Sequence, residues 1–296
     1  MKPFSFTLVV LFCFVTTRDS AAQSERYDKA GPQYSSDKTK QLVEKMLEAH
    51  GGLDAWKTAP SFQFTSVMYL AALPVKDGRR YFDNWRNYRV AVNPQTNVGY
   101  VNIEYEDRTS PSIGFDGHEV WQVDYSFDPA YQDGAFMMLY FHYGMLALPW
   151  MSQEPGVVLT YLDRAVLPLS DVEFHRVRMT FETASNEETG YIDFYIHPET
   201  FLVSGWNGTS PYPLFPGGEF TDILSGNSPG VVRMVEEHSR VGKLIIPRAY
   251  TTIRVAEDGS ETMMGSHLVV NPTLSEKLDE SLISKPSSAS VVKTVN

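Results

Sequence analysis

Cysteine is nearly absent: the 296-residue chain has one, Cys13, inside an N-terminal stretch that reads as a removable leader. Without a second thiol no disulfide can form within the chain. Once Cys13 is gone, thiol nucleophiles, Cys-ligated zinc and iron–sulfur clusters are excluded as well. Positive charge is scarce too. There are 25 Lys and Arg against 36 Asp and Glu, a formal net charge of −11. No basic excess is available to release phosphate counterions, so nucleic acid is not an expected partner. Specific catalytic spacings are missing: there is no HExxH, no P-loop and no GxGxxG after a strand. The seven histidines (50, 118, 142, 175, 197, 238 and 267) stand singly. No catalytic residue, metal site or cofactor is assigned from the sequence.

What is present begins at the N-terminus. Lys2 precedes an uncharged apolar run from Phe4 to Thr17, and Ser20-Ala21-Ala22 offers small residues for a peptidase. The run is shorter than the roughly 20 residues a membrane-spanning helix needs. Residues 1–22 therefore read as a signal peptide cut near Ala22, and the mature chain as periplasmic or secreted. Phe12 precedes Cys13 where a lipobox needs a small side chain, which argues against lipid attachment. Loss of the leader takes Lys2, Arg18 and Asp19 with it and leaves 23 basic and 35 acidic side chains, a net charge of −12. Without disulfides, such a protein depends on its core, and a chain of this length can bury about three quarters of its unfolded surface.

Residues 23–36 are polar and read as a flexible leader segment. From Asp37 the apolar residues Leu42, Val43, Met46 and Leu47 follow a 3.6-residue period and predict a helix over 37–50. Ser36 is its expected N-cap, Gly51-Gly52 its stop, and Leu53 to Trp56 one further turn. After Pro60 the period becomes two. Strands are expected at 62–70, 85–92, 101–105, 113–115 and 120–125, the last two joined by an Asp116-Gly117 hairpin. Others follow at 172–182, 189–197, 201–206, 231–240, 244–255 and 263–270. Together they make a largely antiparallel meander with one wet and one apolar face.

One segment breaks this pattern. Gly134 to Met151 carries no charge and no β-branched residue, and Ala, Leu and Met dominate it. A helix over 134–148, buried in a protein groove and ended or kinked by Pro149, is expected there. A single domain spans 37–286, and residues 287–296 are expected to be a disordered tail.

Several stretches resemble a known family when taken in order. They are EAHGGLDAWKTAPSFQFTS (Glu48 to Ser66), NWRNYRVAV (Asn84 to Val92) and FDGHEVWQVD (Phe115 to Asp124). YIDFYIHPETFLVSGW (Tyr191 to Trp206) and GKLIIPRAYTTIRV (Gly242 to Val255) complete the set. Together they resemble the LolA/LolB-like periplasmic proteins, including Bacteroidetes-type members of unknown function. The resemblance implies an α+β fold, mainly β: a half-open, curved antiparallel β-barrel of about eleven strands covered by helices. It also implies that the interior holds acyl chains of lipoproteins or other hydrophobic molecules. By position, the arginine that latches the covering helix in the lipoprotein carrier would be Arg89. The chain is longer than the carrier and differs over 126–170.

The expected function is therefore an exported, non-catalytic binding or carrier protein for a hydrophobic small molecule or acyl chain. The expected lining is Phe62, Phe64, Met68, Trp85, Phe136, Met137, Tyr140, Phe141 and Trp150. A monomer is expected, with an envelope protein as a further candidate partner. Two alternatives stay open at this point. One is an envelope hydrolase or lyase acting on a lipid or glycan through His118, His142 and nearby acids. The other is an interaction module that works by sheet-edge pairing.

Overall fold

The computed structural model describes residues 31–59, 61–70, 85–93, 98–104, 111–116, 118–124, 144, 146–181, 191–208, 230–275, 278 and 280–294. Its first helix, α1 (Asp37–Ala49), starts where the sequence predicts. The Ser36 hydroxyl accepts the Thr39 N–H at 3.2 Å, which satisfies one of the free donors at the helix start. Leu42, Val43, Met46 and Leu47 form its buried stripe. The helix stops at Gly51 and Gly52, whose φ angles of +99° and +88° favour glycine. Gly51 has a second constraint: a Cβ there would lie 2.2 Å from the Lys243 carbonyl oxygen. The absent side chain thus lets the end of α1 touch a strand turn. The short helix α2 (Leu53–Lys57) follows and buries Trp56.

The strands are β1 (Gln33–Tyr34), β2 (Phe62–Leu70), β3 (Trp85–Val92), β4 (Gly99–Glu104), β5 (Ser112–Phe115) and β6 (Glu119–Val123). Then come β7 (Val157–Val166), β8 (Glu173–Phe181), β9 (Tyr191–Ile196), β10 (Val203–Gly208) and β11 (Val231–Val241). The last are β12 (Leu244–Val255), β13 (Glu261–Leu274) and β14 (Ser290–Thr294), with the short helix α3 (Glu280–Ile283) before β14. The fourteen strands among the described residues lie in one sheet, in the order β1-β7-β8-β9-β10-β11-β12-β13-β2-β3-β4-β5-β6-β14. Two meanders, β7 to β13 and β2 to β6, join where β13 pairs antiparallel with β2. The two ends do not meet, so the sheet is open and curved. Register shifts in β7, β11 and between β12 and β13 supply bends of the kind that curve a sheet.

The mainly-β architecture is as expected, with three strands beyond the eleven read from alternation: β1, β7 and β14. Two of them correct the terminal expectations. Gln33–Tyr34, expected to be flexible, pairs parallel with β7. Ser290–Thr294, expected to be disordered, pairs antiparallel with β6 and forms the far edge of the sheet. An edge strand needs only one partner, and Val291 and Val292 give this tail enough β-propensity to take it. The helical residues 146–151 continue through Pro149 and Trp150 to Met151, so the chain leaves the helix after the proline and not at it. The remainder of 134–145, except Gly144, lies outside the described residues.

Alternation assigns the two faces. Phe62, Phe64, Tyr88, Val90, Val101, Ile113 and Val120 join α1, α2 and Leu146 to Met151 in one large buried apolar cluster. Leu167, Phe174, Tyr195 and Val232 form a small cluster on the other face. There, too, Trp121 lies across Gly114, where a Cβ would come within 2.2 Å of the indole ring. The Trp121 Nε1–H donates to the Ile283 carbonyl at 3.2 Å and anchors α3.

Candidate ligand-binding face

The covered face of the sheet has an aromatic corner built by α1, α2 and the 146–151 helix. Trp56 and Trp150 stack with ring centroids 4.4 Å apart and planes within 2°. Trp150 Nε1–H donates to the Gly52 carbonyl at 3.2 Å, so this indole both packs and caps. Phe62 meets Trp56 at 5.5 Å. A buried indole with its N–H satisfied contributes large apolar area without an unpaired donor.

Beside this corner sits His50, which follows α1 and is fully buried. Its Nδ1–H donates to the Ile245 carbonyl at 2.5 Å, and its Nε2 accepts the Val203 N–H at 3.0 Å. One neutral imidazole therefore ties the helix end to β12 and to β10. Burial holds its pKa down to about 4, against the opposing pull of the Ile245 bond, with a further lowering from nearby His238. His238 donates to the Val203 carbonyl at 3.0 Å, and burial lowers its pKa as well. Both ring nitrogens of His50 are committed to backbone groups, which leaves it a structural bridge and not a proton carrier.

Along the sheet the face is apolar from β2 to β5. Phe64 lies opposite Val90, and Val90 opposite Val101. Toward the β11 side polar groups enter the same face. Tyr250 packs edge-on against Trp206 at 5.1 Å and against His267 at 4.5 Å. His267 Nε2 and the Ser66 hydroxyl share a hydrogen bond, and Met68 stands in register with His267. Arg233, only 5% exposed, is the charged member of this row. Its neighbours in sequence, Val232 and Met234, belong to the small cluster on the other face, so alternation points Arg233 to the covered one. Burial lowers its pKa to about 10.

Of the residues expected to line a ligand site, Phe62, Phe64, Met68 and Trp150 come together in the large cluster. Trp85 opens β3 with its backbone paired to Tyr69, and its side chain lies outside the described portion. Phe136, Met137, Tyr140 and Phe141 also lie outside the described residues, as does His142. Arg89 is 64% exposed and pairs with Glu104 at 2.8 Å, while its neighbours Tyr88 and Val90 are buried. His118 is exposed in the β5–β6 turn, whose shape comes from Asp116 Oδ1 accepting the His118 and Glu119 N–H groups. His197 Nδ1 likewise accepts the Glu199 and Thr200 N–H groups and closes its own turn.

Sequence reasoning missed His50, Trp56 and Arg233 as members of the site. The signal for Arg233 was present: Val231, Arg233 and Val235 share one parity in an alternating strand. By letters alone, Gly226 to Gly230 (GNSPG) also fits a GxSxG pattern. A nucleophile elbow needs a strand before it and a helix after it. Here Gly230 leads directly into β11, so the context is wrong.

No protein-family model matches the chain, and no curated protein does. Solved structures do. The similarity is to structures of the LolA kind. A LolA superfamily protein from Nitrosomonas europaea matches at 11% identity and TM-score 0.46, over 83% of this chain and 97% of that one. A DUF1329 family protein from Desulfovibrio piger matches at 10% identity and TM-score 0.43, over 84% and 98%. An outer membrane lipoprotein-sorting protein domain from Vibrio parahaemolyticus matches at 8% identity and TM-score 0.36, over 81% and 96%.

Proposed function

We propose that the chain is an exported, non-catalytic binding or carrier protein for a hydrophobic ligand, a lipid or the acyl chain of a lipoprotein. One observation carries the reading. On an open sheet, a continuous apolar face runs from Phe62, Phe64 and Val90 to Trp56 and Trp150, and among the described residues helical segments, not a second sheet, lie over it. A helix laid on such a face can move as a unit and let a chain in, whereas a second sheet would have to break its pairing. Phe62, Phe64, Met68 and Trp150 are the proposed lining, with Phe136, Met137, Tyr140 and Phe141 on the uncharged segment that leads into 146–151. The N-terminal leader and the order of motifs resembling LolA/LolB-like proteins support the same reading.

The energetics suffice without a catalytic group. Burial of an acyl chain gains about 0.8 kcal/mol per CH₂, so a twelve-carbon chain gains roughly 9 kcal/mol before association entropy is charged against it. Met and aromatic side chains suit such a ligand because they adapt to its shape. The test is titration of the mature protein with a fluorescent fatty acid. Saturable binding of one probe per chain, competed by an unlabelled acyl chain, is the expected result. Absence of saturable binding would mean that these side chains serve only as core.

A further inference from the structure

Part of the sheet edge is open, and the side chains around it are positive and apolar. β1 covers β7 only at Val158 and Leu159. On that side the Leu159 carbonyl accepts the Ser35 N–H at 2.9 Å, and the Tyr161 N–H donates to the Thr39 hydroxyl at 3.2 Å. One residue then bulges, since Tyr161 stands opposite Val177 and Asp163 opposite Arg176. Beyond the bulge Arg164 stands opposite His175 and Val166 opposite Glu173. His175 and Glu173 share the parity of Val177 on β8, so Arg164 and Val166 turn their backbone N–H and C=O groups outward as Tyr161 does. Among the described residues no strand pairs with them there.

Lys38, in the first turn of α1, holds its ammonium 3.7 Å above the Tyr161 ring. That ring lies 6.0 Å from His175, the register partner of Arg164. Burial first, and then the charges of Arg164, Lys38 and Lys45, lower the His175 pKa, so three cations gather at one place. Of the carboxylates in β7 and β8, Asp163 faces the other side of the sheet and pairs with Arg176 at 3.0 Å. Glu173 comes within 3.8 Å of Arg164, with both side chains more than half exposed. Such a pair is weak, and a competing carboxylate can take the guanidinium. Val166 is 55% exposed, and Leu169 and Val172 are exposed in the turn beyond it.

We propose that the open edge of β7 takes an extended acidic peptide of a partner protein, added as one more strand beside Arg164 and Val166. Its backbone meets the outward N–H and C=O groups, an acidic side chain meets Arg164 and Lys38, and an apolar one meets Val166. Charge complementarity selects this occupant. The edge is positive on a chain of net charge −11, so it draws an acidic strand and repels a basic one. These residues lie outside the proposed ligand lining, and the inference is independent of lipid binding.

The probes are fluorescent peptides of about nine residues in which valine and threonine alternate with glutamate. Their counterparts carry lysine for glutamate, or methylated backbone nitrogens that cannot pair as a strand. Each is titrated into the full mature protein by fluorescence anisotropy. The glutamate peptide is expected to bind saturably, on the order of tenfold more tightly than the lysine peptide, and the methylated peptide to lose binding. Val166→Pro removes one outward N–H and leaves the pairing with β8, because an edge tolerates proline; it should weaken binding about tenfold. Lys38→Glu combined with Arg164→Glu should invert the preference between the glutamate and lysine peptides. If Val166→Pro fails to fold, this exposed charge reversal carries the test. Fluorescent fatty-acid binding should be unchanged in both variants, which separates this result from the lipid-binding reading. Equal affinity for the two charged peptides, undiminished binding of the methylated one, or no peptide binding overturns the proposal. A preference unchanged by the charge reversal overturns the site. Self-association that Val166→Pro abolishes assigns the edge to a second copy and overturns the peptide partner.

Discussion

Acidification should loosen the protein through His50, and the size of the effect follows from its surroundings. In the folded chain His50 is neutral, with Nδ1–H donating to the Ile245 carbonyl and Nε2 accepting the Val203 N–H. Its pKa falls from 6.5 to about 4 on folding. Between these values the unfolded chain binds a proton that the folded chain does not. The stabilising contribution is therefore fully present above about pH 6.5, is lost as pH falls toward 4, and changes no further below that. The whole interval corresponds to about 3 kcal/mol, of which about 2 kcal/mol is gone by pH 5. Burial of His238 lowers its pKa too and acts in the same direction. The assay is urea unfolding at pH 7 and pH 5, on the wild type and on His50→Asn. Asn can still donate to Ile245 but cannot reach the Val203 N–H, so the variant should lose about 1–3 kcal/mol at pH 7. It should also lose most of the wild-type difference between the two pH values. A wild type equally stable at pH 5 and pH 7, or a variant with the full wild-type pH slope, would refute the reasoning.

Other consequences are local. Trp150→Ala should cost about 3–5 kcal/mol in chemical denaturation, because it removes the stack on Trp56 and the bond to Gly52 together. Gly51→Ala should lower the melting temperature measurably. Both the positive φ and the Lys243 carbonyl oppose a Cβ there, at a cost of about 1–3 kcal/mol. Truncation after residue 286 should remove the hydrogen-exchange protection of β6 amides that face β14, with little change in β9 or β10.

Much of this architecture was legible because local chemistry and tertiary role agree. Ser36, the Leu42-Val43-Met46-Leu47 stripe and Gly51-Gly52 bound α1 before any partner is known. Phe62 to Met68 and Tyr88 to Val92 alternate because one face is covered. Asp116 shapes its hairpin through its own side chain. The misses have physical reasons as well. In β7, Val158 and Leu162 alternate with Val157, Leu159 and Tyr161, so both faces carry apolar residues and the period of two fades. β1 has two residues and β14 five, and each depends on an edge that other strands supply. His50 was visible only as part of a His-Gly-Gly string. Its partners Val203 and Ile245 lie 153 and 195 residues away, beyond any local pattern. Arg233 is different: its parity with Val231 and Val235 already assigned it a face, and the fold shows that this face is the covered one.

Native mass spectrometry of the protein purified from its native host tests most directly whether the covered face holds an acyl-bearing molecule. A species heavier than the bare chain by one amphiphile is expected, returning to the bare mass after delipidation. A preparation that shows only the bare mass, and that also fails to take up an added fatty acid, would contradict it.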